Sequence, residues 1–110
     1  MRFKKFDIVL VDFPFSDLSE TKKRPALIIK SLEGENNILC QITTKRRKFQ
    51  KYEVILPKIS CIGDVRFDSF IYFDMVFTLH QSLIKSKIGE VSALLSKDEI
   101  NKKLKEIFCG

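Results

Sequence analysis

Several kinds of catalytic group are scarce in this sequence. It contains a single histidine, His80, which excludes an acid–base mechanism that uses a histidine pair. There is no glycine-rich phosphate loop, and neither a GxSxG nor an HExxH motif occurs. Five aspartates are candidate metal ligands but do not stand at metal-ligand spacing: Asp12, Asp17, Asp64, Asp68 and Asp74. We therefore expect chemistry that uses no metal and no other cofactor, and we expect His80 to be structural.

Cysteine is also sparse, and its three copies fit neither a disulfide framework nor a zinc site. An odd number leaves one thiol unpaired, and there is no CxxC motif or cysteine–histidine spacing typical of zinc ligands. The cysteines are Cys40, Cys61 and Cys109. We interpret them as small apolar side chains in a protein of a reducing compartment.

Long hydrophobic runs are absent. No apolar segment approaches the roughly 20 residues that span a bilayer. The N-terminal run Ile8–Val11 is too short for a signal peptide and soon meets Asp12. These absences predict a cytoplasmic protein with no membrane partner. With 110 residues, and no repeat or linker long enough to separate two units, the chain is expected to form one domain over residues 1–110.

Positive charge is in excess, and part of it is concentrated. The chain has 20 Lys and Arg residues against 14 Asp and Glu residues, a formal net charge of +6, which favours a polyanionic partner without establishing one. Residues 44–51 include five basic side chains and no acidic one: Lys45, Arg46, Arg47, Lys48 and Lys51. Such a segment is either a solvated loop or a rim that follows a phosphate backbone, and the sequence leaves both open.

Apolar runs predict a sheet of short strands. Ile8–Val11 and Ala26–Ile29 are unbroken runs typical of buried strands, and the polar loop between them ends in Lys22, Lys23, Arg24 and Pro25. Pro25 can begin the second strand, since a first residue need not donate to the ladder. The remaining extended segments are expected at Asn37–Thr43, Tyr52–Leu56, Phe67–Gln81 and, bent at Gly89, Ile84–Val91, with a turn at Cys61–Gly63.

The C-terminal segment predicts one amphipathic helix. Ser96 and Glu99 fit a capping box, and a helix over about residues 97–108 places four apolar side chains on one face: Ile100, Leu104, Ile107 and Phe108. Several short strands followed by one helix predict a mainly β protein. We expect a small, partly closed antiparallel barrel with the helix packed on it.

One set of residues is a candidate site. If the second and third strands are antiparallel neighbours joined by a turn at residues 33–37, Arg24 shares a rim with Thr43 and Thr44. An arginine can hold two phosphate oxygens and stabilise charge that builds on phosphorus, and a threonine hydroxyl can hydrogen-bond the same group. A surface ion-pair role for Arg24 and a plain strand role for Thr43 remain open.

The order of these segments resembles a known family. The motif DIVLVDFPFSDLSETKKRPALII, followed by QITT, FDMVFTLHQSLIKSKIGEVS and an amphipathic helix, is similar to the MazF/PemK toxins of type II toxin–antitoxin systems over nearly the whole chain. The resemblance implies an SH3-like barrel, a homodimer, a cognate antitoxin and a sequence-specific, metal-independent endoribonuclease. Such an enzyme cuts single-stranded mRNA with the RNA 2′-hydroxyl as nucleophile, which leaves 2′,3′-cyclic phosphate and 5′-hydroxyl ends.

The resemblance also implies roles for individual residues. Arg24 and Thr43 match the family's catalytic arginine and threonine, Thr44 matches a neighbouring position near the substrate, and Asp74 matches an aspartate that some PemK-type members use. Those members carry an arginine where this chain has Tyr72, and a histidine in the first loop, where residues 16–23 contain none. The basic side chains expected to follow the RNA are Lys22, Lys23, Lys45, Arg46, Arg47 and Lys48.

Two other functions remain open. The gyrase-binding CcdB toxins share the fold and bind through the end of the terminal helix, which here consists of Ile107, Phe108, Cys109 and Gly110. The presence of both Arg24 and Thr43 argues against this function, because a gyrase-binding protein has no need of them. The other alternative is a barrel that binds RNA without cleaving it.

Overall fold

Seven strands and one α-helix make up the described part of the chain, residues 2–14 and 21–110 of a computed structural model, with side chains described for residues 2–12 and 23–110. The strands are β1 (Asp7–Pro14), β2 (Thr21–Ser31), β3 (Asn36–Thr43), β4 (Glu53–Leu56), β5 (Cys61–Gly63), β6 (Ser69–His80) and β7 (Ile84–Val91). Helix α1 covers Leu94–Phe108, and single 3-10 turns lie at Lys58–Ser60 and Gln81–Leu83. The expected mainly β architecture with a C-terminal helix is confirmed.

The strands form one antiparallel sheet in the order β4-β6-β3-β2-β1-β7-β5. Strands β4 and β5 are its two edges, so the sheet is open. One core cluster nevertheless contains Val54 from β4, Val91 from β7 and Ile100 from α1. Because strands far apart in the sheet order contribute to one core cluster, the sheet must wrap around that core, which agrees with a partly closed barrel.

Strands β1 to β3 are buried on both faces. Ile8 and Leu27 belong to the cluster around α1, whereas Val9, Ala26 and Leu39 belong to a second cluster on the opposite face. Successive strand residues point to opposite faces, so an unbroken apolar run is what two buried faces require. The sequence-based interpretation of these runs as buried strands is confirmed.

The start of β2 differs from the prediction. The strand begins at Thr21, so Lys22, Lys23 and Arg24 lie in a strand rather than in a loop, and Pro25 is inside the strand instead of at its start. Ladder pairs with β1 continue down to Pro14↔Thr21, whereas pairs with β3 begin only at Ala26. Pro25 is tolerated because this part of β2 has no β3 pairing to satisfy.

The segment predicted as a turn at residues 61–63 is the short edge strand β5, paired with β7. Gly63 has φ of +101°, and a Cβ on Gly89 would lie 2.5 Å from the Ile62 carbonyl oxygen. The two strands therefore approach more closely than side chains at these positions would allow. Gly89, predicted as a bend, lies in a continuous β7 whose register against β1 shifts at this point.

Helix α1 begins three residues earlier than predicted, and the capping box is wrong. Its N-cap is Ala93, which makes no side-chain capping bond, and Ser96 is buried within the helix. The Ser60 carbonyl oxygen instead accepts the backbone N–H groups of Ser92 and Ala93, at 2.8 and 3.1 Å. This tertiary contact fixes the entry to the helix. No helix in residues 2–14 and 21–110 is long and apolar enough to cross a membrane.

Candidate active site

Arg24 and Thr43 lie on adjacent antiparallel strands, as predicted. The β2–β3 ladder ends with the pair Ala26↔Gln41, and Arg24 and Thr43 each lie two residues beyond that pair, in the same direction along the sheet. Side chains two residues apart share a face, so both point to the face of Ala26 and Gln41. If the register of this ladder is extended by two residues beyond its last pair, Arg24 stands opposite Thr43.

Thr43 is fixed at the end of β3. It pairs with Phe70 of β6, and its Oγ1 accepts the backbone N–H of Lys45 at 3.1 Å. A hydroxyl has two acceptor lone pairs and one donor, so this contact leaves the proton of Thr43 available for a ligand oxygen. Thr44, the next residue, is exposed and points to the opposite face.

Arg46 is held by a buried carboxylate. Its Nε donates to Glu53 Oε1 at 2.7 Å, and its Cζ lies 5.3 Å from the centroid of the Phe70 ring. The Glu53 side chain is only 4% exposed, whereas that of Arg46 is 43% exposed. A nearly buried carboxylate needs a partner, and Arg46 supplies it. Much of the positive charge of this arginine is therefore compensated within the protein.

Arg47 is held by β6. Its guanidinium forms an ion pair with Asp74, and its Cζ lies 4.0 Å from the centroid of the Tyr72 ring. The register of β6 against β3 shifts here, since residues 73–75 stand between the pairs Gln41↔Tyr72 and Cys40↔Val76. Neither Tyr72 nor Glu53 was predicted as part of this region. Glu53 is the acidic first residue of the otherwise apolar β4, and Tyr72 carries a hydroxyl in an apolar part of β6, which is the signal that could have indicated them.

The remaining basic candidates differ in their placement. Lys23 is exposed on β2, and Lys45 and Lys48 are exposed beyond the end of β3. The side chain of Lys22 lies outside the described residues, as does the part of the predicted first loop at residues 15–20. These three lysines thus present their charges to solvent, whereas the charges of Arg46 and Arg47 are paired with carboxylates.

His80 is far from this rim. It pairs with Asn36 at the other end of β6, whereas Thr43 pairs with Phe70. The His80 ring nitrogens lie 2.7 Å from Glu35 Oε2 and 2.8 Å from Ser82 Oγ. The expected structural role of His80 agrees with this position, where its side chain also accepts the Ser82 N–H at the start of a 3-10 turn.

An apolar cavity of about 190 Å³ opens on the other side of the same strand ends. Pro25 and Thr44 line it, and its floor includes Ile8, Ile42 and Leu56. Phe67, which is 66% exposed, also lines it. The cavity therefore adjoins the rim of Arg24 and Thr43, although sequence reasoning did not indicate it.

Two of the three thiols, in buried Cys40 and half-buried Cys61, have raised pKa values. Burial, with a smaller contribution from the negative charge of Asp74, raises the pKa of Cys40 to about 12, and burial raises the pKa of Cys61 to about 11. At neutral pH both are protonated and so are poor nucleophiles. Among the residues with described side chains, no group of three or more His, Cys, Asp or Glu residues is arranged to hold a metal ion.

The fold is that of MazF-type toxins. "Mycobacterium tuberculosis toxin MazF-mt6" superposes with a TM-score of 0.71 at 18% identity, over 93% of this chain and 95% of that chain. "Endoribonuclease in complex with its cognate antitoxin from Mycobacterial species" gives a TM-score of 0.72 at 16% identity, over 96% and 93%. "Endoribonuclease from Mycobacterial species" gives 0.67 at 17% identity, over 96% and 91%. At these identities the likeness establishes the fold alone. No curated protein sequence matches significantly.

The sequence itself establishes the family. Residues 4–108 match the family described as PemK-like, MazF-like toxin of type II toxin–antitoxin system. The match covers nearly the whole chain, so this protein belongs to that family. The resemblance inferred from the sequence motifs is confirmed.

Proposed function

We propose that this protein is a sequence-specific endoribonuclease toxin that cleaves single-stranded mRNA. The observation that carries the proposal is the family match over residues 4–108. Two of the similar solved structures are of endoribonucleases, one of them in complex with its cognate antitoxin. The net charge of +6 suits a polyanionic substrate.

Arg24 and Thr43 are the proposed catalytic residues. Arg24 holds the scissile phosphate and stabilises the charge that builds on its oxygens. Thr43 donates its free hydroxyl proton to the phosphate or orients the 2′-hydroxyl. The register of β2 against β3 supports this pairing, since its continuation sets the two residues opposite each other.

The reaction needs only groups that RNA and water supply. The 2′-oxygen attacks phosphorus and loses its proton to water, while the bond from phosphorus to the 5′-oxygen breaks and that oxygen takes a proton from water. The products carry a 2′,3′-cyclic phosphate and a 5′-hydroxyl. Neither Arg24 nor Thr43 is a good general base, so catalysis rests on positioning and electrostatics, without a metal or cofactor.

Single-stranded RNA suits this chemistry better than a duplex. In-line attack by a 2′-hydroxyl needs a backbone geometry that a regular A-form helix does not allow, and unpaired bases can be read and stacked. We propose that Lys23, Lys45 and Lys48, which are exposed, follow the RNA backbone and that Thr44 lies close to the substrate. Lys22, whose side chain is not described, is proposed for the same role.

The proposed partners follow from the family. We expect a cytoplasmic homodimer that a cognate antitoxin inhibits, through an acidic or apolar segment laid across the RNA-binding rim. Sedimentation of the purified protein tests the dimer, since a monomer at micromolar concentration would contradict it.

The activity is tested with purified protein and single-stranded RNA in excess EDTA. We expect cleavage by the wild type, with cyclic phosphate and 5′-hydroxyl ends. Arg24→Ala should abolish cleavage while Lys30→Ala, an equal loss of charge at an exposed position of the same strand, should not. Intact RNA with inhibited gyrase would favour the CcdB-like function, and binding without cleavage would favour the RNA-binding barrel.

A further inference from the structure

Tyr72 fastens the basic segment to β6. Its hydroxyl accepts the backbone N–H of Arg47 at 2.8 Å and donates to the Lys45 carbonyl oxygen at 3.0 Å. The residue is only 4% exposed, so its phenol is held by the packing around it. One buried side chain therefore fixes the backbone path of residues 45–47.

The guanidinium of Arg47 is fixed as well as its backbone. It lies over the Tyr72 ring at a cation–π distance and is paired through Nη2 with Asp74. The side chains of Arg47 and Asp74 are 29% and 30% exposed, so the pair is mostly covered but keeps an accessible edge. A guanidinium carries five N–H donors, enough for a carboxylate and a second anionic ligand.

Hydrogen bonds through Tyr72 and the backbone of Lys45 connect the backbone of Arg47 to Thr43. Arg47 N–H donates to Tyr72, Tyr72 donates to the Lys45 carbonyl oxygen, and the Lys45 N–H donates to Thr43 Oγ1. In addition, Tyr72 pairs with Gln41, which lies two residues from Thr43 on the same face of β3. Because the guanidinium of Arg47 lies over the Tyr72 ring, it lies on the same face of the sheet as the proposed catalytic threonine.

We propose that Arg47 contacts a phosphate of the bound RNA, and that Tyr72 and Asp74 are positioning residues that hold its guanidinium at the rim. The inference rests on the proposed function for the identity of the ligand. Asp74 then has two opposed effects. It fixes Arg47 in place, and its negative charge repels the RNA backbone.

The role of Arg47 is tested by binding, which does not require cleavage. With a 2′-O-methyl single-stranded RNA, Arg47→Ala should weaken binding at least about tenfold, whereas Lys48→Ala, an equal charge loss in the same segment, should weaken it about threefold or less. Equal losses would overturn the inference. If the wild type binds this RNA through Arg47 but cleaves no RNA, the proposed nuclease activity fails while the contact stands.

Rescue tests whether the guanidinium itself matters. Cleavage by Arg47→Ala should recover at least about tenfold when non-denaturing guanidinium chloride is added, and not with equimolar sodium chloride. No recovery, in a variant whose thermal midpoint equals that of the wild type, would overturn a direct contact.

The positioning roles are tested by measuring binding and single-turnover cleavage together. Asp74→Asn should bind RNA as tightly as the wild type or more tightly, yet cleave at least about tenfold more slowly. Tyr72→Phe, which keeps the ring, should lower kcat with little change in KM. Unchanged cleavage in both variants would overturn positioning. Loss of the acidic limb of the pH–rate profile in Asp74→Asn would instead make Asp74 a proton acceptor and also overturn it.

Discussion

Arg46 Nε donates to Glu53 Oε1 at 2.7 Å, a contact that joins the segment after β3 to the first residue of β4. The next residue, Arg47, pairs instead with Asp74 of β6. The two arginines thus lie in the same connection between β3 and β4, and they bind two neighbouring strands, β4 and β6. Both contacts place a guanidinium on an acidic residue, but only Glu53 is nearly buried.

Replacing Arg46 should therefore lower the free energy of unfolding more than replacing Lys48 in the same segment. Arg46→Ala leaves the Glu53 carboxylate without its partner, and because Arg46 is partly exposed we expect a loss of about 1–3 kcal/mol in the free energy of unfolding. Lys48→Ala should change it by less than about 0.5 kcal/mol. Urea denaturation of both variants measures the difference. Equal stabilities would show that water compensates Glu53 as well as Arg46 does.

Gly89 should not tolerate a side chain. In Gly89→Ala the new Cβ would lie 2.5 Å from the Ile62 carbonyl oxygen, so β5 must move away from β7. We expect a loss of about 1–3 kcal/mol, in the range of other overpacking substitutions. Ser86→Ala, at an exposed position of the same strand, is the matched control. Thermal unfolding that gives both variants the midpoint of the wild type would contradict the close approach of the two strands.

The ion pair of Lys87 and Asp7 should make stability depend on alkaline pH. Lys87 Nζ lies 3.1 Å from the nearly buried Asp7 carboxylate, and a hydrogen bond to that group raises the lysine pKa. A pKa raised by folding adds stability that is fully present below the unfolded value, about 10.4, and is lost as pH rises through the folded value. In denaturant titrations, the free energies of unfolding of the wild type and of Lys87→Met should converge as the pH rises through the folded pKa. A constant difference would contradict the pair.

One of the three thiols should react faster than the other two in the native protein. The raised pKa values of Cys40 and Cys61 keep both protonated, whereas Cys109 is exposed after the end of α1. Iodoacetamide at neutral pH should label Cys109 first, and mass spectrometry of peptides locates the label. In denaturant all three should react. Fast native labelling of Cys40 would indicate that the sheet opens at β3.

The position of the rim could be predicted because it depends on strand order. Two apolar runs and one turn are enough to bring Arg24 toward Thr43, and antiparallel pairing fixes the direction. The partners of Arg46 and Arg47 could not be predicted in this way. Asp74 lies in the register shift of β6, and a shift that changes where a side chain points leaves no trace in the alternation of the sequence.

The predicted start of α1 was wrong for a related reason. Ser96 and Glu99 satisfy a local capping pattern, but the Ser60 carbonyl, more than thirty residues earlier, binds the N–H groups of Ser92 and Ala93 and begins the helix sooner. Phe108, predicted on the buried face, is 61% exposed because the helix ends there, while Ile100 is fully buried. A tertiary contact therefore decided where the helix begins.

A single atom of the substrate tests the central claim most directly. An RNA that the wild type cuts is first mapped, and the nucleotide that precedes the cut is then replaced by its 2′-deoxy form. Without the 2′-hydroxyl there is no nucleophile, so we predict that cleavage at this site stops while binding and cleavage elsewhere continue. Cleavage at the deoxy nucleotide, with a 5′-phosphate or a linear 3′-phosphate as product, would contradict the proposed mechanism.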